Sequence, residues 1–360
     1  MKQPVRYKLL WSSLLYRAGT LALALVGAVT FHMLGLPLPF LFGPMSFCLV
    51  AALIGARLQG LGQVSVGART ILGVAVGASI TPEVVSHIPQ MALSVALVPL
   101  YVLLIGLIGV PFFRRLGFDA ATSYYAAMPG GLQDMVIFGQ EAGADVRALS
   151  LIHATRVAVL VTIAPVILVW LYDAPLTGAM GAPLRDFGTG QLAWMALSAI
   201  VGWKGGEYLG LFGASILGPM ITTAALSMAG IITQRPPAEA IMLAQLFIGI
   251  GIGVQYVGVT LRELRVFVLS GLAFVMVLAV LAAAFTEFVV LTGLARPLEG
   301  FLAFAPGGQA ELTVLAIVVG ADLGFVVLHH LTRIVVVIMG APLMARYMGV
   351  PRPAARKRRP

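Results

Sequence analysis

The chain has 360 residues, 60% of them hydrophobic and only 10% charged, with a mean hydropathy of +1.00. A soluble globular domain carries about 25% charged residues, so these proportions exclude one and point to an integral membrane protein. Its long uninterrupted apolar runs are those of transmembrane helices, because barrel strands alternate polar and apolar residues. The formal charge of +9 lies mostly at the two ends, in Lys2, Arg6 and Lys8 and in Arg352, Arg356, Lys357, Arg358 and Arg359, which places both termini in the cytoplasm. The basic tail over 351–360 reads as a retention signal that touches anionic lipid, not as a nucleic-acid patch. A single cysteine, Cys48, excludes an intrachain disulfide and a cysteine zinc site.

In chain order, the apolar stretches predict helices over about 12–34, 39–56, 64–80, 90–113, 121–139 and 147–171. The first has a basic start like a signal peptide, but no small-residue cleavage site follows, and it reads as the first transmembrane helix. The third carries Gly73 and Gly77 in GVAVGAS, a small-xxx-small spacing that brings helices close; packing is one reading and a sliding face the other. The fifth contains MPGGLQDM. A polar, Gly- and Pro-containing linker occupies 176–189, and a second set of six stretches follows over 190–350. There Lys204 and Glu207 are spaced for a local ion pair, Gly249 and Gly253 repeat the small-residue pattern, and Ser79 and Gln255 stand at matched positions as polar lining.

The second set is a copy of the first. Residues 129–165 and 306–342 are identical at 13 of 37 positions without a gap, where composition alone gives roughly three or four. Pro129-Gly130-Gly131 recurs as Pro306-Gly307-Gly308, Gly143-Ala144-Asp145 as Gly320-Ala321-Asp322, and His153-Ala154-Thr155-Arg156 as His330-Leu331-Thr332-Arg333. Upstream, Gly43-Pro44-Met45 recurs as Gly218-Pro219-Met220. The chain is therefore read as a tandem duplication: membrane repeat 1 over 1–175, the linker, membrane repeat 2 over 190–350 and the tail. If the fifth stretch crosses the bilayer, each half has six spans and the copies are parallel; if it re-enters, each has five and the second copy is inverted. Charge does not decide. The inverted arrangement leaves Arg185, Arg235 and Arg296 outside, the parallel one Arg147, Arg262 and Arg265.

Proline removes a backbone donor and glycine tolerates unusual dihedrals, so Pro-Gly-Gly at membrane depth predicts a broken helix or a re-entrant tip. Paired breaks at corresponding points of two repeats point to a transporter's central site, against the plainer reading of two inherited kinks. Asp134 and Glu311 follow each motif and are costly in a membrane unless they work or pair; they are candidates for proton coupling. Arg156 and Arg333 offer planar forks for an anion, or pair with Asp134 and Glu311. Thr155 and Thr332 either donate to a ligand or bond back to their own helix. His153 and His330 stand three residues before each arginine, on the same face, and can relay protons. Gly130, Gly131, Gly307 and Gly308 let a substrate approach the backbone. No metal-ligand spacing is present, and His329 and His330 point to different sides of a helix.

The tandem repeat, the Gly-Pro-Met turns, the doubled Pro-Gly-Gly and the doubled His-x-Thr-Arg resemble the bacterial AbrB family of membrane proteins, known for an "AbrB duplication", over about 30–350. Members have been labelled as ammonia monooxygenases and as regulators of gene expression. The architecture is similar to secondary transporters with two inverted halves, which by analogy favours five plus five spans, about ten transmembrane helices with two re-entrant segments. The monooxygenase label implies a metal that these histidines are not arranged to hold. The regulator label implies DNA binding or an indirect effect, and no DNA-binding module precedes the first span; the family shares its name with a small soluble DNA-binding regulator that nothing here resembles.

The expectation is thus an all-α secondary transporter of the bacterial inner membrane. It moves a small anionic metabolite with a coupling proton, sodium being the alternative because broken-helix carbonyls can hold it. It needs no cofactor, binds no nucleic acid, and its related architectures are usually homodimers. The contrasting expectations are a metal-dependent membrane enzyme and a membrane sensor acting through a partner.

Overall fold

The structure, a computed structural model, describes residues 3–36, 38–86, 88–174, 176, 181–211 and 213–347; the side chains of 3–12, 83, 84, 88, 133, 134 and 341–347 lie outside the description. The basic tail and part of the linker therefore fall outside it. Among the described residues the regular structure is all helical, with no strand.

The first half contributes α1 (Gln3–Met33), α2 (Pro39–Leu53), α3 (Gln63–Gly77), the short α4 (Pro82–Ser86), α5 (Ile88–Arg115), α6 (Ala120–Ala127), α7 (Leu132–Glu141) and α8 (Val146–Tyr172). The second contributes α9 (Thr189–Tyr208), α10 (Ala214–Met228), α11 (Ala238–Gly253), α12 (Leu261–Glu263), which passes through a π-helical turn into α13 (Leu269–Leu291), then α14 (Pro297–Phe304), α15 (Gln309–Val318) and α16 (Leu323–Tyr347). Six of the described helical segments are long and apolar enough to cross a bilayer, and four shorter ones are apolar. The protein is a polytopic, all-helical membrane protein. Each predicted stretch of the first half became one helix except the fifth, which broke into α6 and α7 at Pro-Gly-Gly. At eight and ten residues these rise about 12 and 15 Å, well short of the ~30 Å core.

The chain condenses into two compact units that do not coincide with the sequence halves. One is made of 1–86, 168–259 and 313–324, the other of 87–167, 260–312 and 325–360.

In the first unit the glycines set the approach of helices. A Cβ on Gly27 would run into the backbone of Gly43, and one on Gly202 into that of Gly218. The exchange between halves is reciprocal: Gly73 and Gly77 on α3 lie against Ile216, Pro219 and Met220 of α10, while Gly249 and Gly253 on α11 lie against Leu41, Pro44 and Met45 of α2. Both small-residue pairs thus serve close packing. Ser79 bonds back to Ala75 and accepts from Arg235 Nε at 3.1 Å. The Lys204–Glu207 ion pair forms at 2.9 Å, with Trp203 Nε1 donating to the same carboxylate.

In the second unit, α5 and α13, matched helices of the two halves, run antiparallel. Tyr101 meets Phe285, Phe113 meets Phe274, and Phe118 meets Phe267, ring to ring at 5.0, 4.8 and 5.9 Å. The ion pair Arg147 Nε–Glu263 Oε1, 3.0 Å, ties the start of α8 to α12. Segment 120–141 is a hairpin, because the amide of Asp145, just beyond it, donates to Thr122 Oγ1 at 2.8 Å and a Cβ on Gly139 would stand 3.5 Å from that of Tyr125. Local chemistry makes the turns at its ends. Asp119 caps α6 by accepting from the Thr122 amide, Gly143 takes φ +81° after α7, and Asp145 caps α8 by accepting from the amides of Arg147 and Ala148.

Candidate functional site

A helix that ends inside a membrane leaves its last carbonyls without partners, and lipid cannot supply any. Both α6 and α14 end at a Pro-Gly-Gly break, at Pro129 and Pro306, and the same device serves each. From α8, His153 Nε2 bonds to the carbonyl of Tyr125 at 2.9 Å, and Arg156 donates through one terminal nitrogen to Met128 (3.1 Å) and through the other to Gly130 (2.6 Å). From α16, His330 Nε2 bonds to Leu302 (2.9 Å), and Arg333 donates to Ala305 (2.9 Å) and Gly307 (2.8 Å). A carbonyl only accepts, so Nε2 carries the proton in both rings.

The pairing steps in register: 125 with 153 and 128 with 156, 302 with 330 and 305 with 333. Each half-helix therefore runs parallel to the long helix that clamps it. The cations also oppose the negative end of the half-helix dipole. Both arginines are 3% exposed, and in both the Nε has no hydrogen-bond partner.

The second half of each break is a helix start. The carbonyl of Gly131 accepts from Met135 (3.0 Å) and that of Gly308 from Leu312 (3.2 Å), opening α7 and α15. Glu311 lies in the first turn of α15, where a carboxylate meets the positive end of the dipole. A Cβ on Gly308 would collide with its Oε2, so the carboxylate folds over the turn. Asp134 occupies the matched position in α7, but its side chain is outside the described residues. The two breaks belong to one neighbourhood: the charge of Arg156 interacts with those of Arg333 and Glu311, and a Cβ on Gly307 would strike Leu160 of α8.

The predicted site residues are thus sorted. Arg156, Arg333, His153 and His330 gather at the breaks, the terminal nitrogens of the arginines and Nε2 of the imidazoles bonded to backbone. Gly130 and Gly307 supply the carbonyls they hold, and Gly131 and Gly308 begin the second half-helices. Thr155 and Thr332 bond back to Leu151 (2.7 Å) and Leu328 (2.9 Å) on their own helices. His329 turns away, bonding to Phe325 of its own helix at 2.8 Å. Among the described residues no three His, Cys, Asp or Glu side chains come together as a metal site. Sequence reasoning missed Tyr101. Fully buried on α5, it donates to the Phe304 carbonyl at 2.7 Å and lies within electrostatic reach of both arginines. The available signal was a phenol hydroxyl in the middle of a mostly apolar helix, which needs a partner when buried.

Comparison with known proteins follows the same lines. A family model described as "Transition state regulatory protein AbrB" matches residues 40–349. The chain is 28% identical over 319 residues to "Uncharacterized protein YhjN" of Bacillus subtilis (strain 168), covering 82% of this chain and 79% of that one. It is 26% identical over 335 residues to "Putative regulator AbrB" of Escherichia coli (strain K12), covering 91% and 94%. No solved structure matches.

Proposed function

The chain belongs to the AbrB family of membrane proteins, and on that premise we propose that it is a secondary transporter of a small anionic metabolite, driven by protons. The observation that carries this reading is the pair of matched Pro-Gly-Gly breaks brought into one compact unit with two buried guanidinium charges. Broken helices inside a membrane are tolerated where protein buries them or a wet cavity runs, and two buried cations call for anions to balance them. The substrate's negative group lies at the starts of α7 and α15, whose amides point at it.

Protons suit the coupling better than sodium. The carbonyls that would hold sodium at a broken helix, those of Met128, Gly130, Ala305 and Gly307, already accept from the arginines. Asp134 and Glu311 are the proton acceptors, and the imidazoles of His153 and His330 hold the half-helices in place. The antiparallel course of α5 and α13 and the hairpin at 120–141 support five spans per half with the second half inverted. Both termini are then cytoplasmic in the bacterial inner membrane, with Arg114, Arg147 and Arg262 on the inner side and Arg185 and Arg296 on the outer. The regulatory name of the Escherichia coli relative fits here as an indirect effect of moving a metabolite.

The test is proton uptake into liposomes containing the purified protein and an internal pH dye, challenged with pools of small carboxylates. Lumenal acidification with some pool, absent from empty liposomes, is the expected result. Folded protein that moves neither protons nor labelled carboxylate from any pool overturns the reading.

A further inference from the structure

We infer that the Glu311 carboxylate is the resident occupant of an anion position at the start of α15, and that a substrate carboxylate takes that position only as Glu311 leaves it and accepts a proton. This rests on the transport reading above and adds to it the substrate's functional group and the order of events.

The position is defined by what fills it. The first amides of α15, ten residues long, have no acceptor within the helix. The Glu311 Oε2 occupies the space of a side chain on Gly308, directly over the turn that opens the helix. A carboxylate from the third helical residue folded over the first turn stands where the returning half of a capping box does. It also shows which group the turn seats.

Independent of the helix start is the charge beside it. Arg333, 3% exposed, holds the carbonyl of Gly307, next to Gly308, and its Nε has no partner. Arg156, also 3% exposed with an unpartnered Nε, acts on Glu311 electrostatically. Ala305, Pro306 and Gly307 are buried, while Gly308, Gln309 and Glu311 are half-buried.

Among the described residues, Arg156 from α8 acts on Glu311 directly, and the other charged and titratable groups that hold the two breaks are His153 from α8, Arg333 and His330 from α16 and Tyr101 from α5. Arg156 and Arg333 are held by backbone carbonyls. A second carboxylate entering beside an ionised Glu311 would set two like charges on one helix start, which is unfavourable. A proton taken up by the displaced Glu311 keeps the total charge constant. One proton is therefore bound for each carboxylate seated at this turn, and no covalent bond changes.

The test is binding of acetate, lactate, succinate and citrate to purified protein, read by calorimetry from mildly acidic to mildly alkaline pH, for wild type, Glu311→Gln and Glu311→Asp. Glutamine keeps the backbone-capping ability of the third position, so the fold is retained, and thermal unfolding checks it. Wild-type affinity is expected to fall as pH rises. In Glu311→Gln it is expected to be flat with pH and about tenfold or more above wild type at the alkaline end. The shorter Glu311→Asp should compete less well and fall between the two. A folded Glu311→Gln that binds nothing while wild type binds, or that keeps the wild-type pH dependence, overturns the inference and leaves transport standing. Wild type that binds none of the four at any pH overturns both.

Discussion

Replacing Arg333 by methionine tests whether the arginine is a clamp. The change removes two charge-assisted hydrogen bonds, to Ala305 at 2.9 Å and Gly307 at 2.8 Å, each contributing about 1.5–3 kcal/mol. Part of that loss is offset, because burying a guanidinium among apolar helices is itself costly by several kcal/mol and methionine fills much of the same space without a charge. The expected net effect is about 2–4 kcal/mol on opening of the second break. Hydrogen exchange in lipid nanodiscs reads it directly. Since 1.4 kcal/mol is a factor of ten, amides over 305–312 should exchange at least about thirtyfold faster, while those over 120–131 serve as reference. Arg333→Lys, which keeps the charge but not the planar fork, should fall in between. Because Arg156 and Arg333 repel each other electrostatically, each single change already relieves that repulsion, and Arg156→Met/Arg333→Met should cost more than the sum of the single changes, by about 0.5–1 kcal/mol or more. Unchanged exchange over 305–312 in Arg333→Met would refute the clamp.

The glycine seams predict that Gly73→Val and Gly253→Val, each placing a side chain against backbone, lower the folded fraction on gel filtration by at least the ~1–3 kcal/mol of ordinary overpacking, whereas Gly251→Ala, with nothing within 4 Å, leaves it unchanged. Asp119→Ala removes the α6 cap and should cost about 1 kcal/mol, seen as faster exchange confined to 120–127. In a Cys48→Ala background, Arg114→Cys and Arg262→Cys should both react with an impermeant maleimide only after the cells are opened, and Arg185→Cys and Arg296→Cys in intact cells. Labelling of Arg114→Cys and Arg262→Cys from opposite sides would contradict the antiparallel course of α5 and α13. Arg147→Ala breaks an ion pair whose side chains are 37% and 21% exposed, so its effect on thermal unfolding should stay under about 1 kcal/mol.

Much of the fold could be read directly because membrane helices announce themselves by length and apolarity, and the breaks because Pro-Gly-Gly cannot continue a helix. The small turn residues were equally legible in hindsight: Gly143 and Gly320 take φ +81° and +67°, and Asp145 begins the next helix. The arginines' partners were harder to foresee. Sequence shows side chains, and it suggested carboxylates or a ligand for Arg156 and Arg333, whereas both bond to carbonyls that every residue possesses. The spacing did contain the answer, since 28 residues separate Tyr125 from His153 and Leu302 from His330, but only a parallel half-helix turns that spacing into contact. Tyr101 was hidden for another reason. It has no copy in the second half, where Leu278 stands at the corresponding position, so the repeat could not point to it.

That asymmetry bears on how one duplicated device can serve transport. Each half must tie off the end of its half-helix with donors, because the bilayer offers none; the His-x-x-Arg clamp is required whatever the cargo. Its two guanidinium charges are held to backbone in both halves. In the proposed cycle, the charge that varies is then that of the carboxylates and the cargo at the helix starts. There the halves differ, with an aspartate in α7 and the longer glutamate, folded over Gly308, in α15. The α14–α15 break also carries the extra tie from Tyr101 to Phe304, which fixes its first half-helix more firmly, so that in the proposed exchange of one carboxylate for another the Glu311 side is the part that moves. Proton dependence should therefore follow Glu311, while structural damage should follow the arginines.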